Sequence, residues 1–278
     1  MLTHSFCHLP GIGAQTERQL WASGLHGWDH VTPAAIRPFS PARRARLLEG
    51  AQESRAQLAA GNAAWFDQRL PARESWRMFS SFEHSVAFLD IETTGLDGAR
   101  DHVTTIVLYD GQRVYSFVHG RNLEDFPACV ARYDLLVTYN GKTFDLPFLR
   151  RSMGIPLQQA HIDLRYVLAS LGYSGGLKGC ERALGLERGD LADVDGFFAV
   201  LLWNDYRRRG DERTLQTLLA YNAADVLNLA AILPMAVNAK LRETPFAEAL
   251  QLPELGPAHN PFEAHRPTID RIARGRWG

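Results

Sequence analysis

Three pieces of the 278-residue sequence carry acidic side chains at spacings that could do chemistry. Asp90 and Glu92 stand two apart at the end of an apolar run, Val86-Ala87-Phe88-Leu89-Asp90-Ile91, that reads as a buried strand. Residues i and i+2 of a strand point to the same face, so both carboxylates converge on one spot. Two uncompensated anions that close repel, and a divalent cation between them is the natural resolution. An exposed strand end would show the same pair without a metal. Asp145 belongs to Tyr139-Asn140-Gly141-Lys142-Thr143-Phe144-Asp145-Leu146-Pro147-Phe148-Leu149, which follows a strand and enters a helix. In open α/β sheets that edge is where ligands collect. Asn140 and Asp145 are also the short polar residues that a strand-to-helix turn uses for capping. The third piece is Tyr221-Asn222-Ala223-Ala224-Asp225-Val226-Leu227. On a helix, Tyr221 and Asp225 are i, i+4 neighbours. The apolar stripe of Leu215, Leu218, Leu219, Asn222, Val226, Leu229 and Leu233 leaves both at its border, where a carboxylate can project into a cleft.

These residues need a scaffold, and the patterning describes one. From residue 85 the sequence turns to short apolar strands. Segments 102–109 and 113–118 are β-rich and joined by Asp110-Gly111-Gln112, an expected antiparallel hairpin. A helix is expected over 124–132, a strand over 135–139 and a short strand near 160–164, with helices dominating beyond. Three antiparallel strands followed by alternating helix and strand predict an α/β fold, a mixed sheet with helices on both faces.

Ahead of this domain, placed at 81–240, residues 1–80 read as a helical N-terminal region. It opens with His8-Leu9-Pro10-Gly11-Ile12-Gly13 running into a helix. Backbone N–H groups at such a start, around Gly11 and Gly13, can hold a phosphate; a tight turn between packed helices is the alternative. Ser40-Pro41 looks like an N-cap followed by proline at the first helical position. Arg37, Arg43, Arg44 and Arg46 cluster nearby, as a solvated face or a phosphate track. Segment 70–80, with Pro71, reads as the joint to the main domain. Residues 241–278, rich in Pro, His and Arg, read as a docked or mobile tail.

The net charge of −1 excludes a protein that coats nucleic acid through bulk positive charge. Residues 1–80 hold nine arginines against six acidic residues, formally +3, so the remainder carries −4. Cys7, Cys129 and Cys180 fit neither a zinc spacing nor a disulfide framework, so reduced, buried thiols are expected. His4 and His8 have helical ligand spacing, but no cysteine or carboxylate completes a metal set, and they read as surface histidines. No signal peptide and no membrane span of roughly 18–20 apolar residues is visible, so the expected setting is cytosol or nucleoid.

Taken together, the three acidic pieces resemble the motifs of the DEDD group of 3′–5′ exonucleases, in its tyrosine subgroup. Phe88-Leu89-Asp90-Ile91-Glu92-Thr93-Thr94-Gly95-Leu96 is similar to that family's first motif. The Tyr139–Leu149 and Tyr221–Asp225 pieces resemble the second and third motifs of proofreading domains in B-family DNA polymerases. The bacterial YprB-like branch of the ribonuclease H-like superfamily is similar too, including the Leu-Pro-Gly-Ile-Gly segment. The resemblance covers about 85–236, without a polymerase region. It implies that Asp90, Glu92 and Asp225 hold a first Mg²⁺ or Mn²⁺, with Asp90 bridging to a second that Asp145 supports. Two ions roughly 3.5–4 Å apart would clamp the scissile phosphate. It further implies that Tyr221 orients the attacking water, that Thr93 and Leu96 pack on the terminal nucleotide, and that Asn140 positions the strand. Lys142 would touch a phosphate or simply be solvated. Lys178 is a second candidate contact to the strand, and Asp163, near Arg165, a wall residue, ion pair or cap. The expected partner is single-stranded nucleic acid with a free 3′ end, DNA favoured over RNA, and the product a nucleoside 5′-monophosphate. The alternatives are a catalytically silent binding module on the same fold and a structure-specific endonuclease.

Overall fold

The computed structural model describes residues 1–96 and 100–275. The N-terminal region contains α1 (Ala14–Ala22), α2 (Pro41–Ala59) and α3 (Ala63–Asp67). Gly13 is the N-cap of α1, and a single 3₁₀ turn, Leu2–His4, precedes the Gly11 turn. Ser40 caps α2 by accepting from the Arg43 N–H, with Pro41 in the first turn. The segment leading into the sheet is a 3₁₀ helix, Ala72–Met78, followed by the short α4 (Phe79–Phe82). It buries Trp76, Arg77 and Met78.

Five strands follow: β1 (Val86–Thr93), β2 (Val103–Tyr109), β3 (Val114–Val118), β4 (Leu135–Thr138) and β5 (Ala160–Asp163), ordered β3-β2-β1-β4-β5. The first three are antiparallel, and β4 and β5 run parallel to β1. This is the expected mixed sheet. The helix anticipated over 124–132 is shorter: a 3₁₀ turn, Leu123–Asp125, precedes α5 (Phe126–Val130), which carries Pro127 in its first turn. The chain continues through α6 (Asp145–Met153), α7 (Leu164–Ser170), α8 (Gly176–Ala183), α9 (Gly196–Arg209), the long α10 (Glu212–Leu241) and α11 (Arg266–Gly275).

The period-two alternation of β1 splits the core. Ala87, Leu89 and Ile91 pack with Phe126, Leu146 and Phe148 on the α5/α6 face. Val86 and Phe88 join Leu218, Val226 and Leu229 of α10 on the other, and that cluster runs on without a break into Phe6, Trp28 and Phe66 of the N-terminal region. Asp90 and Glu92, in phase with Val86 and Phe88, therefore sit on the α10 side. Helix α10 is long and apolar enough to cross a membrane by length and composition, which the reading of the sequence did not register. Its most apolar window is 78% buried within the protein, as the central helix of a packed core is.

The tail is docked where it is described. Arg271 grips Asp205 through two hydrogen bonds of 2.8 and 2.7 Å, and Asn260 Nδ2 donates to the Ala220 carbonyl at 2.9 Å. Residues 276–278 lie outside the described residues. All three cysteines are free and buried. His8 corrects the expectation of a surface histidine: it is buried against Trp28, Trp65 and Phe66, and its Nε2 hydrogen-bonds Ser54 Oγ at 2.7 Å.

Candidate metal centre

Strand β1 and helix α10 bring three carboxylates together. Asp90, Glu92 and Asp225 each offer an oxygen, and those oxygens all lie within 4.8 Å of one another. The helix is locked to the strands beside them. Asn222 Nδ2 donates to Asp90 Oδ2 at 2.6 Å, and Asn222 Oδ1 accepts from Thr105 Oγ1 of β2 at 3.1 Å. Asp145 reaches the same neighbourhood from the opposite edge of β1. Strand β4 pairs with β1 only as far as Phe88↔Val137, so beyond that point one edge of β1 is open. Asp145, at the start of α6, fills the gap: its Oδ1 accepts from the Ile91 N–H at 3.3 Å.

Crowding four acids into a buried site raises all their pKa values. Burial, then the charges of Asp225 and Asp145, push Asp90 and Glu92 well above the usual carboxylate range. Burial likewise lifts Asp145 to about 7. Asp225 is raised by burial to about 6, a rise that the Arg188 guanidinium limits. The Tyr221 phenol is pushed up by burial and by Asp225, so it holds its proton throughout the neutral range. An all-carboxylate donor set of this kind fits a hard divalent cation.

A pH test follows. An acid whose folded pKa is raised contributes stability that is complete below its unfolded value, near 3.9 for Asp, and lost as pH rises through the folded value. The metal-free penalty from Asp225 and Asp145 therefore develops between about pH 4 and about pH 7. A bound cation removes that penalty, so the rise in Tm produced by saturating Mn²⁺ is expected to be larger at about pH 8 than at about pH 5. Buried His8 and His161, both with pKa lowered to about 3 by burial, act equally with and without metal and cancel in this difference. A metal increment that is flat across the range would contradict the arrangement.

The remaining candidates divide. Thr93 is buried and donates to the Gly95 carbonyl at 2.6 Å, while Leu96, at the exit from β1, is 83% exposed. Asn140 adopts a left-handed φ of 67°, and its Oδ1 accepts from Thr143 Oγ1 at 2.7 Å and from Arg165. Its side chain serves the turn. Asp163 is the cap of α7, accepting from the Asn140, Lys142 and Arg165 N–H groups at 2.7, 3.0 and 3.1 Å. The exposed Lys142 exerts its charge on Asp67 and His161, whereas the lysine felt by Asp225 is Lys178. Lys178 Nζ lies 5.8 Å from the Tyr221 ring centroid and donates to the Ala192 and Val194 carbonyls. Gly11 and Gly13 belong to the N-terminal turn, outside the carboxylate cluster. At Gly11, with φ of 73°, an added Cβ would lie 2.7 Å from Arg46 Nη1.

Tyr221 and Asp225 are more buried than a border position predicts, because α10 is covered by the sheet on one side and by α9 and the tail on others. Sequence reasoning missed Arg188 and Glu181, and took Asn222 as one more stripe position. A polar residue inside an apolar stripe signals a buried partner, and Asn222 could have been read that way.

A family model described as the ribonuclease H superfamily matches residues 87–237, over half of the chain, and the chain belongs to that superfamily. No curated protein sequence matches. Among solved structures, the family B DNA polymerase of the hyperthermophilic archaeon Pyrobaculum calidifontis is similar at 21% identity and a TM-score of 0.43. That match spans 60% of this chain and 27% of the polymerase. A structure described as the apo form of a nuclease is similar at 19% identity and a TM-score of 0.41, over 63% of this chain and 79% of that one.

Proposed function

We propose that the protein is a metal-dependent 3′–5′ exonuclease of the DEDD type, in the tyrosine subgroup, that releases nucleoside 5′-monophosphates from single-stranded nucleic acid. The observation that carries this reading is the meeting of Asp90, Glu92 and Asp225 oxygens within 4.8 Å on a ribonuclease H superfamily sheet. Asp145 stands at the neighbouring edge.

In this reading Asp90, Glu92 and Asp225 hold a first divalent cation, and Asp90 and Asp145 serve a second. Bound divalent cations supply positive charge to the scissile phosphodiester and lower the pKa of the attacking water. Water oxygen bonds to phosphorus as it gives up a proton to solvent, the P–O3′ bond breaks, and the departing 3′ oxygen takes up a proton from solvent. Tyr221, kept protonated, orients the water and is no base. Leu96, an exposed apolar side chain, and Thr93 receive the terminal nucleotide. Asn140 acts by shaping the turn that presents Asp145, and Lys178 is better placed than Lys142 to add charge beside the cluster. A silent binding module would need no complete acidic set, and here all four carboxylates and the tyrosine are present.

Matched linear and circular single strands separate the readings. In Mg²⁺ or Mn²⁺ the linear DNA is expected to shorten from its 3′ end, faster than linear RNA of the same sequence, while the circle stays intact. A nicked circle would identify an endonuclease. Binding of the linear strand without shortening, in either metal, would leave only a binding module.

A further inference from the structure

One cation at the centre is held more elaborately than an ion pair requires. Arg188 lies in the loop after α8, with its side chain only 6% exposed. Its Nε donates to Glu181 Oε2 at 2.5 Å and its Nη2 to Glu181 Oε1 at 2.7 Å, a two-point grip. Glu181 is itself buried, and its Oε1 also accepts from Asn228 Nδ2 of α10 at 2.8 Å. From this mount the same Nη2 makes an ion pair with Asp225 Oδ1, and the guanidinium carbon lies 5.7 Å from the Tyr221 ring centroid. Arg188 Nη1 is buried and has no hydrogen-bond partner among the described residues. A charged N–H kept dry and unpaired is costly, so a site that retains one is built for a partner that arrives. Lys178, the other cation here, differs, since its ammonium already donates to two carbonyls.

We propose that Arg188 is a phosphate-binding residue of this site, its Nη1 donating to a non-bridging oxygen of the terminal nucleotide's phosphate while Glu181 and Asn228 fix the guanidinium. The inference rests on the nuclease reading. The planar fork of arginine suits the role, because one edge can be spent on Glu181 while another N–H faces a phosphate oxygen. Beside four carboxylates, an anionic substrate also needs fixed positive charge to approach.

Calorimetric binding of thymidine 5′-monophosphate and of thymidine, each with saturating Mn²⁺, tests it. Arg188→Met alone would strand buried Glu181, so the variants are Arg188→Lys and the double Glu181→Gln/Arg188→Met, which removes both charges. The double variant is expected to bind the monophosphate about 10- to 100-fold more weakly, the range of a lost charge-assisted hydrogen bond, with thymidine affinity unchanged. Arg188→Lys, which keeps the charge without the fork, should lose less. Monophosphate affinity within about twofold of wild type in the double variant, or an equal loss for thymidine, would overturn the assignment. If the wild type shortens a labelled strand and either result is found, the inference falls and the nuclease reading stands. If the wild type neither shortens the strand nor prefers the monophosphate to thymidine, both fall.

Discussion

Asp90→Asn is expected to cut mononucleotide release by at least about 10³-fold, and to do so without loosening the fold. The substitution removes one of three oxygens that converge within 4.8 Å, the one proposed to serve both cations. It preserves the local packing, because an asparagine oxygen can still accept from Asn222 Nδ2, now 2.6 Å from Asp90 Oδ2. In the metal-free protein the charge of Asp90 is unwelcome: burial and the neighbouring Asp225, Asp145 and Glu92 all raise its pKa. Deleting that charge should leave the metal-free Tm at or above that of wild type near pH 7. Rate measurements on a labelled linear strand, paired with thermal melts in EDTA, check both halves. Undiminished release by a pure Asp90→Asn protein would remove the proposed mechanism. Lost release accompanied by a large fall in Tm would make Asp90 a structural residue instead.

A second large effect is expected far from the cluster. Arg77→Met should destabilise the protein by about 3–5 kcal/mol, the usual cost of leaving a buried charge without its partner. Arg77 is buried at the junction of the N-terminal region and the sheet. Its Nη1 donates to Glu17 Oε1 at 2.8 Å and to Ser5 Oγ at 3.1 Å, and its Nε donates to Glu74 Oε2 at 2.9 Å. Glu17 Oε1 in turn accepts from the Phe6 and Cys7 N–H groups at 2.6 and 3.0 Å. This network fixes the N-terminal segment on α1. Urea denaturation of Arg77→Met and of Glu17→Gln/Arg77→Met separates the contributions, the double variant losing less because buried Glu17 is no longer stranded, while Glu74 keeps Arg73 at 3.8 Å. A loss below about 1 kcal/mol for Arg77→Met would show that the network carries little.

The acidic residues were legible because each pair obeys a local period. Asp90 and Glu92 share a strand face by the period of two, and Tyr221 and Asp225 share a helix face by the i, i+4 rule. The sheet was legible for the same reason, since its five strands are short β-rich runs between turn residues. What lies beyond local periodicity was not. Arg188 meets Asp225 across a stretch of chain that no spacing rule describes, and only the docking of the α8 loop against α10 joins them. Lys142 and Lys178 look equally eligible as strings, yet one faces Asp67 and His161 and the other Tyr221. The burial of segment 70–80 was hidden because Trp76 and Met78 pack into a core assembled from both ends of the chain. His8 escaped for the same reason, its aromatic surroundings coming from Trp28, Trp65 and Phe66.

The central claim, that these carboxylates form a divalent-cation centre, is tested most directly by titrating Mn²⁺ into metal-free protein and into its Asp90→Asn variant. At about pH 8, above the raised values of Asp145 and Asp225, the wild type is expected to bind Mn²⁺ saturably, and the variant at least about 10-fold more weakly. A wild type that takes up no Mn²⁺, or a variant that binds it as tightly as wild type, would contradict the account.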